Sequence, residues 1–104
     1  MIGVDLVFIP EFQKQLDVGG DTLIQKSFNI SDLKNNKTDH LAGLWAAKEA
    51  VIKASTKMPK KMTDIKISHD PNGKPSAHYN NQEFAISIAH HGDYAVAVAY
   101  RVEV

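Results

Sequence analysis

The chain has 104 residues, with 12 basic side chains balanced by 12 acidic ones and no cysteine. This length allows one hydrophobic core and is too short for two, so we expect a single domain over residues 1–104. Zero net charge argues against nucleic acid as a partner, because nucleic-acid binders normally carry a basic surface. The lack of cysteine excludes disulfides, thiolate zinc sites and a cysteine nucleophile.

The N-terminus carries Asp5 inside its first apolar run and has no basic leader, so it does not resemble a secretory signal. No apolar run approaches the length needed to span a bilayer. We therefore expect a cytoplasmic protein with no membrane partner.

The first half of the chain predicts one strand and one main helix. Residues 2–9 are a β-branched and aromatic run that a proline stops, which is typical of a buried strand. Residues 11–37 are polar and show only short helical patterns, so we expect one or two short helices with loops. Residues 38 to about 57 lack proline and are rich in Ala, Leu and Lys, which predicts the main helix.

Two lines of side chains run along this predicted main helix. The predicted core face consists of Leu41, Leu44, Trp45, Ala47, Lys48, Val51, Ile52 and Ala54. The second line consists of Ala42, Ala46, Glu49 and Lys53. Small residues in the second line let another backbone or a ligand approach the helix closely, and its two charges lie at one end.

The second half of the chain predicts strands. Residues 64–69 alternate as a half-buried strand and residues 70–75 are a strong turn signal, which together fit a hairpin. Residues 84–90 and 94–100 are two further strands. The last is apolar on both faces, so it is either central or covered by a partner chain. The predicted fold class is α+β, a mostly antiparallel sheet packed on one long helix.

An acid in a buried strand is costly unless a cation pairs with it, so Asp5 requires a lysine or a metal nearby. Mg²⁺ commonly takes one or two protein carboxylates and completes its shell with waters and substrate phosphates. Asp5 and Glu49 make such a pair if the first strand packs along the alanine line of the helix. Lys53, one turn beyond Glu49, then reaches the same space and can neutralise a phosphate oxygen. This set suits phosphoryl transfer.

Structural interpretations of the same residues stay open at this point. Glu49 and Lys53 can form an ordinary surface pair worth about 0.2–0.5 kcal/mol. Asp5 can cap a turn or pair with a core lysine, and His90 can be a core or edge histidine. The turn at residues 72–75 can be simply a turn.

Four motifs follow one another in a specific order along nearly the whole chain. They are Ile-Gly-Val-Asp at residues 2–5, Leu-Ala-Gly-Leu-Trp-Ala-Ala-Lys-Glu-Ala-Val-Ile-Lys-Ala at residues 41–54, Gly-Lys-Pro at residues 73–75 and Ile-Ser-Ile-Ala-His at residues 86–90. Their order and spacing resemble the holo-acyl-carrier-protein synthase type of phosphopantetheinyl transferase. The helix motif is the most specific of the four.

This resemblance implies an enzyme that moves phosphopantetheine from coenzyme A to a serine of an apo carrier protein and releases 3′,5′-ADP. It implies that Mg²⁺, held by Asp5 and Glu49, holds the pyrophosphate of coenzyme A, and that Lys53 contacts the phosphates. The catalytic set is then Asp5, Glu49 and Lys53. It also implies a homotrimer with active sites at the subunit interfaces.

The resemblance further implies a set of residues around coenzyme A. The Gly-Lys-Pro turn and His90 are expected near its nucleotide end, although His91 is not distinguished from His90 as the useful imidazole. The expected cofactor-binding residues are Lys48, Lys53, Gly73, Lys74, Pro75 and His90.

Two positions depart from the family pattern. Family members often have arginine at the position of Leu44 and a basic residue near that of Glu11. Acidic carriers favour a basic docking face, and this neutral chain offers mainly a cluster of lysines for it: Lys57, Lys60 and Lys61. Competing hypotheses are a degenerate module that binds coenzyme A without transferring, a metal-dependent hydrolase, and a purely structural domain.

Overall fold

Five strands form one sheet, one helix lies across one of its faces, and a second helix packs mainly against the first. The computed structural model describes residues 1–102, so the last two residues of the predicted domain lie outside the described range. The elements in chain order are strand β1 (Ile2–Phe8), helix α1 (Ile9–Ser27), helix α2 (Thr38–Ala54), and strands β2 (Lys66–His69), β3 (Pro75–Tyr79), β4 (Gln82–His91) and β5 (Tyr94–Arg101).

The sheet has the strand order β1-β5-β4-β3-β2, and every neighbouring pair is antiparallel. This confirms the α+β class with an antiparallel sheet. Strand β5 pairs with a strand on each side, in agreement with its continuous apolar run. Its inward side chains, Ala95, Ala97 and Ala99, are fully buried, and their small size lets α2 lie close to the sheet.

The segment between β1 and α2 contains one helix in two parts, in line with the predicted one or two short helices. Helix α1 begins directly after β1, with Pro10 in its first turn, where the missing N–H of proline is tolerated. Gly20 interrupts it with φ 58° and ψ −150°, a conformation that is open essentially to glycine. Because Gly20 breaks the 19-residue α1, the 17-residue α2 is the longer uninterrupted helix, and the expectation of one long helix holds approximately.

Helix α2 ends at Ala54 rather than near residue 57. The hydroxyl of Ser55 accepts a hydrogen bond from the Lys57 N–H at 3.2 Å and donates one to the Lys57 carbonyl at 3.1 Å. This local turn competes with continued helix. Pro59 follows and disfavours helix at Met58 as well.

Lys48 lies in the core, and its expected role as a cofactor-binding residue was wrong. Its side chain is fully buried, with the ammonium 3.1 Å from the Asp32 carboxylate. The ammonium also donates to the carbonyls of Ser27 at 2.9 Å and Met62 at 3.5 Å. All three of its donors are therefore occupied inside the protein, and no part of the ammonium faces solvent. Burial lowers the pKa of Lys48, and Asp32 opposes that change.

The outer face of the sheet, opposite α2, is apolar and exposed. On β1 the outward side chains Ile2, Val4 and Leu6 are 68%, 55% and 62% exposed. They pair across the register with outward residues of β5 that include Val98 and Tyr100. We call these strands' outward side the outer face. Among residues 1–102, no helix combines the length and apolar character that crossing a membrane takes.

Replacing Lys48 by methionine is expected to destabilise the fold, because it leaves the buried Asp32 without its cation. We expect the free energy of unfolding to fall by about 3–5 kcal/mol. Lys53→Met is the matched control, since Lys53 lies on the same helix and pairs with Asp5, but its side chain is 52% exposed. The control is expected to cost at most about 1 kcal/mol. Urea unfolding measures both, and equal losses would contradict the structural role of Lys48.

Candidate active site

Three carboxylates, one from each of β1, α1 and α2, line one cavity of about 240 Å³ between these elements. Asp5 comes from β1 and Glu49 from α2. Glu11 and Phe12 of α1 and Trp45 of α2 contribute to the same wall. The structure therefore brings together the two acids that the sequence pairs, on a surface that is open to a ligand.

Asp5 faces α2 because β1 alternates and because Gly3 allows close packing. Gly3, Asp5 and Val7 point toward the helix, whereas their neighbours point to the outer face. A Cβ atom on Gly3 would lie 2.1 Å from the Ala50 carbonyl oxygen and 2.9 Å from the Ala54 nitrogen. Only a residue without a side chain permits this contact. The contact packs β1 directly on α2, as is required for Asp5 to lie near Glu49.

Lys53 forms an ion pair with Asp5 and not with Glu49. Its ammonium lies 3.0 Å from the Asp5 carboxylate and donates a hydrogen bond to the Val4 carbonyl at 3.0 Å. The ordinary surface pair between Glu49 and Lys53 is thus not observed. Within residues 1–102, the Glu49 side chain forms no hydrogen bond or ion pair, which leaves its oxygens available to a ligand.

Burial raises the pKa of the Glu49 carboxyl above its ordinary 4.5, and the Asp5 charge raises it further, while Lys53 opposes the change. The effect of the Asp5 charge on the pKa of Glu49 shows that the two carboxylates are close together. A cation between them would be attracted to both. No group of three or more potential metal-ligating side chains occurs within residues 1–102. A donor set of two carboxylates nevertheless fits Mg²⁺, which takes its remaining ligands from waters and substrate phosphates.

A second cavity of about 560 Å³ contains the other predicted residues. The Gly73-Lys74-Pro75 turn and His90 line it, together with Leu44 of α2. The His90 Nε2 atom lies 2.9 Å from the Asp39 carbonyl oxygen. Because side chains alternate on β4, His90 faces α2 and this cavity, whereas His91 faces away.

The two cavities lie on different sides of α2. They share no lining residue, and Leu44 of the second cavity is separated from Glu49 of the first by five positions. Five positions correspond to about 140° around a helix. The structure thus brings Asp5, Glu49 and Lys53 together, and separately Gly73, Lys74, Pro75 and His90.

Two histidines that the sequence did not single out line the second cavity. His40 is in the first turn of α2, and His69 ends β2. For His69, its position directly before the predicted turn could have indicated that it lies near the Gly-Lys-Pro residues. For His40, no sequence feature indicated a place in this cavity, because its location depends on how α2 packs. Glu11, noted only as a departure, lies in the wall of the first cavity.

The raised pKa of Glu49 has a direct effect on stability. A carboxyl that binds its proton more tightly in the folded state contributes stability that is fully present below the ordinary pKa of 4.5 and is lost as pH rises through the raised pKa. We therefore expect the metal-free protein to lose stability relative to Glu49→Gln as pH rises from about 4 to about 7.

Melting temperatures across this range in buffer with EDTA measure the effect, with Glu83→Gln as the control because Glu83 is an exposed glutamate on β4. Parallel pH curves for the wild type and Glu49→Gln would contradict the buried, unpaired environment of this carboxyl.

Comparison with known proteins identifies the family. The family model of the 4′-phosphopantetheinyl transferase superfamily matches residues 1–99. The holo-(acyl-carrier-protein) synthases of Mycobacterium sp. (strain KMS) and Mycobacterium marinum are 34% and 35% identical to the chain over 121-residue alignments that cover 94% of it and 92% of each relative.

Solved structures agree with this comparison. The holo-(acyl-carrier-protein) synthase of Helicobacter pylori in complex with coenzyme A superposes with a TM-score of 0.87, at 29% identity over 98% of this chain and 100% of that one. The synthase–coenzyme A complex of Chronobacterium ammoniagenes gives 0.76, at 34% identity over 94% of this chain and 92% of that one. The chain therefore belongs to the 4′-phosphopantetheinyl transferase superfamily.

Proposed function

We propose that this chain transfers 4′-phosphopantetheine from coenzyme A to a serine hydroxyl of an apo carrier protein. The observation that carries the proposal is that Asp5 and Glu49 share one cavity beside the ammonium of Lys53. The relatives that cover most of the chain are named holo-(acyl-carrier-protein) synthases, and two similar structures are complexes with coenzyme A. These names support the same donor and acceptor here.

In the proposed reaction the serine oxygen attacks the phosphorus joined to pantetheine, the bond from that phosphorus to the bridging oxygen breaks, and 3′,5′-ADP leaves. Lys53 is placed to stabilise charge on the phosphate oxygens, since its exposed ammonium is held beside Asp5. Glu49, directly or through a water, is the candidate acceptor of the serine proton, because its carboxylate lines the first cavity and forms no hydrogen bond or ion pair within the described chain.

Asp5 and Glu49 are the residues that would hold Mg²⁺. When bound, the ion supplies positive charge that neutralises the pyrophosphate oxygens. The fit rests on the two neighbouring carboxylates and on the absence of any hydrogen bond or ion pair from Glu49 within the described chain. At the second cavity, we propose that Gly73, Lys74, Pro75 and His90 contact the nucleotide end of coenzyme A.

We propose that the working enzyme is a homotrimer with its active sites between subunits. The first cavity and the second lie on different sides of α2 and share no lining residue, so one chain does not enclose both residue sets in a single cavity. A second copy that brings its second cavity to the first cavity of its neighbour would join the two into one site. The exposed apolar outer face offers the surface for such an association.

A charge at the centre of the outer face is expected to break the trimer. Val98 pairs with Val4 on one side and Ser87 on the other, so Val98→Glu would bury a carboxylate at the proposed interface. We expect the mass from analytical ultracentrifugation to drop to that of a monomer and turnover to fall with it. Val18→Glu on α1 is the matched control, since Val18 is 90% exposed and lies away from the sheet. An unchanged trimer in Val98→Glu would contradict this interface.

A degenerate module that binds coenzyme A without transfer is the second candidate. It is favoured by the carboxylate of Glu11 in the wall of the first cavity and by the uncharged Leu44 in the second. Turnover separates the two candidates.

The decisive test is intact-mass spectrometry of several apo carrier proteins incubated with the chain, coenzyme A and Mg²⁺. We expect a mass gain of one phosphopantetheine that EDTA abolishes. Asp5→Asn and Glu49→Gln should each lower the rate at least about 100-fold, because each removes a charge from the proposed metal site. Glu83→Gln, on the far part of the sheet, should match the wild type.

Full activity in Asp5→Asn or Glu49→Gln would overturn the metal site. If no carrier gains mass while coenzyme A still binds, the degenerate module replaces the transferase.

A further inference from the structure

The two carboxylates of the proposed metal site differ in what they contact. Asp5 pairs with Lys53, whose ammonium lies 3.0 Å from the Oδ1 atom of Asp5. Within residues 1–102, the Glu49 side chain forms no hydrogen bond or ion pair. The oxygens of Glu49 are therefore available to a ligand cation, whereas at Asp5 a ligand cation meets an ammonium that belongs to the protein itself.

The ion pair between Asp5 and Lys53 is buried at one end only. The Asp5 side chain is 16% exposed, and the Lys53 side chain is 52% exposed. Burial of the carboxylate strengthens its attraction to the ammonium, because less water screens the two charges. Exposure of the lysine lets its flexible side chain move into solvent at little cost. The pair can therefore oppose a second cation at Asp5 and can also be broken by one.

A second acceptor keeps Lys53 close to the site. The Lys53 ammonium also donates a hydrogen bond to the Val4 carbonyl at 3.0 Å. Val4 directly precedes Asp5 on β1, and the pairing of β1 with β5 fixes this part of the backbone. An ammonium has three donors, so Lys53 can give up Asp5, keep its bond to Val4 and offer two donors to a phosphate.

The charge of Lys53 also reaches Glu49. Burial and the Asp5 charge raise the pKa of the Glu49 carboxyl, and the Lys53 charge opposes that change. The ammonium therefore interacts with both carboxylates of the proposed metal site. A divalent cation at these two carboxylates would be repelled by Lys53, because like charges a few ångström apart repel one another in a partly buried site.

We propose that Lys53 competes with the divalent cation for Asp5, so that metal binding and the release of Lys53 toward the donor phosphates occur together. This inference rests on the proposed function, which assigns the metal to Asp5 and Glu49. Two cations that repel each other at one carboxylate weaken each other's binding equally, since such coupling is reciprocal. Lys53 thus limits metal binding in the absence of coenzyme A, in addition to its proposed role beside the phosphates.

Titration of the whole chain with Mn²⁺ in the absence of coenzyme A tests this inference. Mn²⁺ binds the same oxygen ligands as Mg²⁺, and electron paramagnetic resonance measures the unbound ion. Lys53→Met should bind Mn²⁺ about three- to fivefold more tightly than the wild type, which is the range expected for one partly exposed ion pair. Lys53→Arg keeps the charge and pairs well with carboxylates, so it should bind Mn²⁺ no more tightly than the wild type.

Two further variants serve as controls in the same titration. Lys57→Met removes the same charge from an exposed side chain that forms no ion pair in the described chain. It should leave the dissociation constant of Mn²⁺ within about twofold of the wild type, because exposed charges are screened by salt. Asp5→Asn should weaken Mn²⁺ binding, which assigns the titrated ion to this site.

The outcomes separate this inference from the proposed function. If Lys53→Met binds Mn²⁺ no more tightly than the wild type, or if Lys57→Met shows the same gain, competition at Asp5 is overturned and the transferase proposal stands. Competition is also overturned if neither the wild type nor Lys53→Met binds Mn²⁺, or if Asp5→Asn binds it as the wild type does. The mass-spectrometric assay with its EDTA control then decides the proposed function independently. Circular dichroism of each variant ensures that altered binding reflects the side chain and not the fold.

Discussion

The direct contact between the backbone of β1 and helix α2 at Gly3 is the constraint on which the candidate site depends. The strand lies so close that a single added carbon would meet the Ala50 carbonyl oxygen at 2.1 Å. This approach brings Asp5 to within 3.0 Å of the Lys53 ammonium and into the cavity that Glu49 lines. A similar contact occurs on the other side of the helix, where the His90 ring packs on Gly43. The two glycines therefore position the two cavities relative to α2.

The two lysines of the helix motif differ in burial and therefore have different roles. Lys48 and Lys53 are five positions apart, about 140° around the helix, so they face different surroundings. Lys48 meets Asp32 inside the core and cannot reach a ligand, whereas Lys53 meets Asp5 at an exposed surface. A buried charge without a partner is costly, so Asp32 is required for Lys48 to be accommodated there. The charge of Lys48 therefore serves the fold, whereas the side chain of Lys53 is half exposed beside Asp5.

The two cavities of this small chain lie on different sides of α2. A sheet covered by helices on one face leaves the other face exposed, and here that face is apolar along β1 and β5. The proposed trimer would bury this face and would also bring the carboxylate cavity of one chain to the histidine-lined cavity of the next. The same association would thus stabilise a small protein and complete its site.

The sequence by itself determined the antiparallel α+β class, the main helix and the strands, because hydrophobic periodicity and turn residues are local properties of the chain. Its ordered motifs also determined the family. For the segment of α1 it predicted only one or two short helices, since a polar segment with a glycine break has little periodicity, and it placed Lys48 both on the core face and among the cofactor-binding residues. Only the tertiary structure decided which lysine is buried, which acid pairs with Lys53, and that His40 and His69 share a cavity with Lys74. The physical reason is that pairing and desolvation depend on residues distant in the chain, as with Asp5 and Lys53 at a separation of 48 positions.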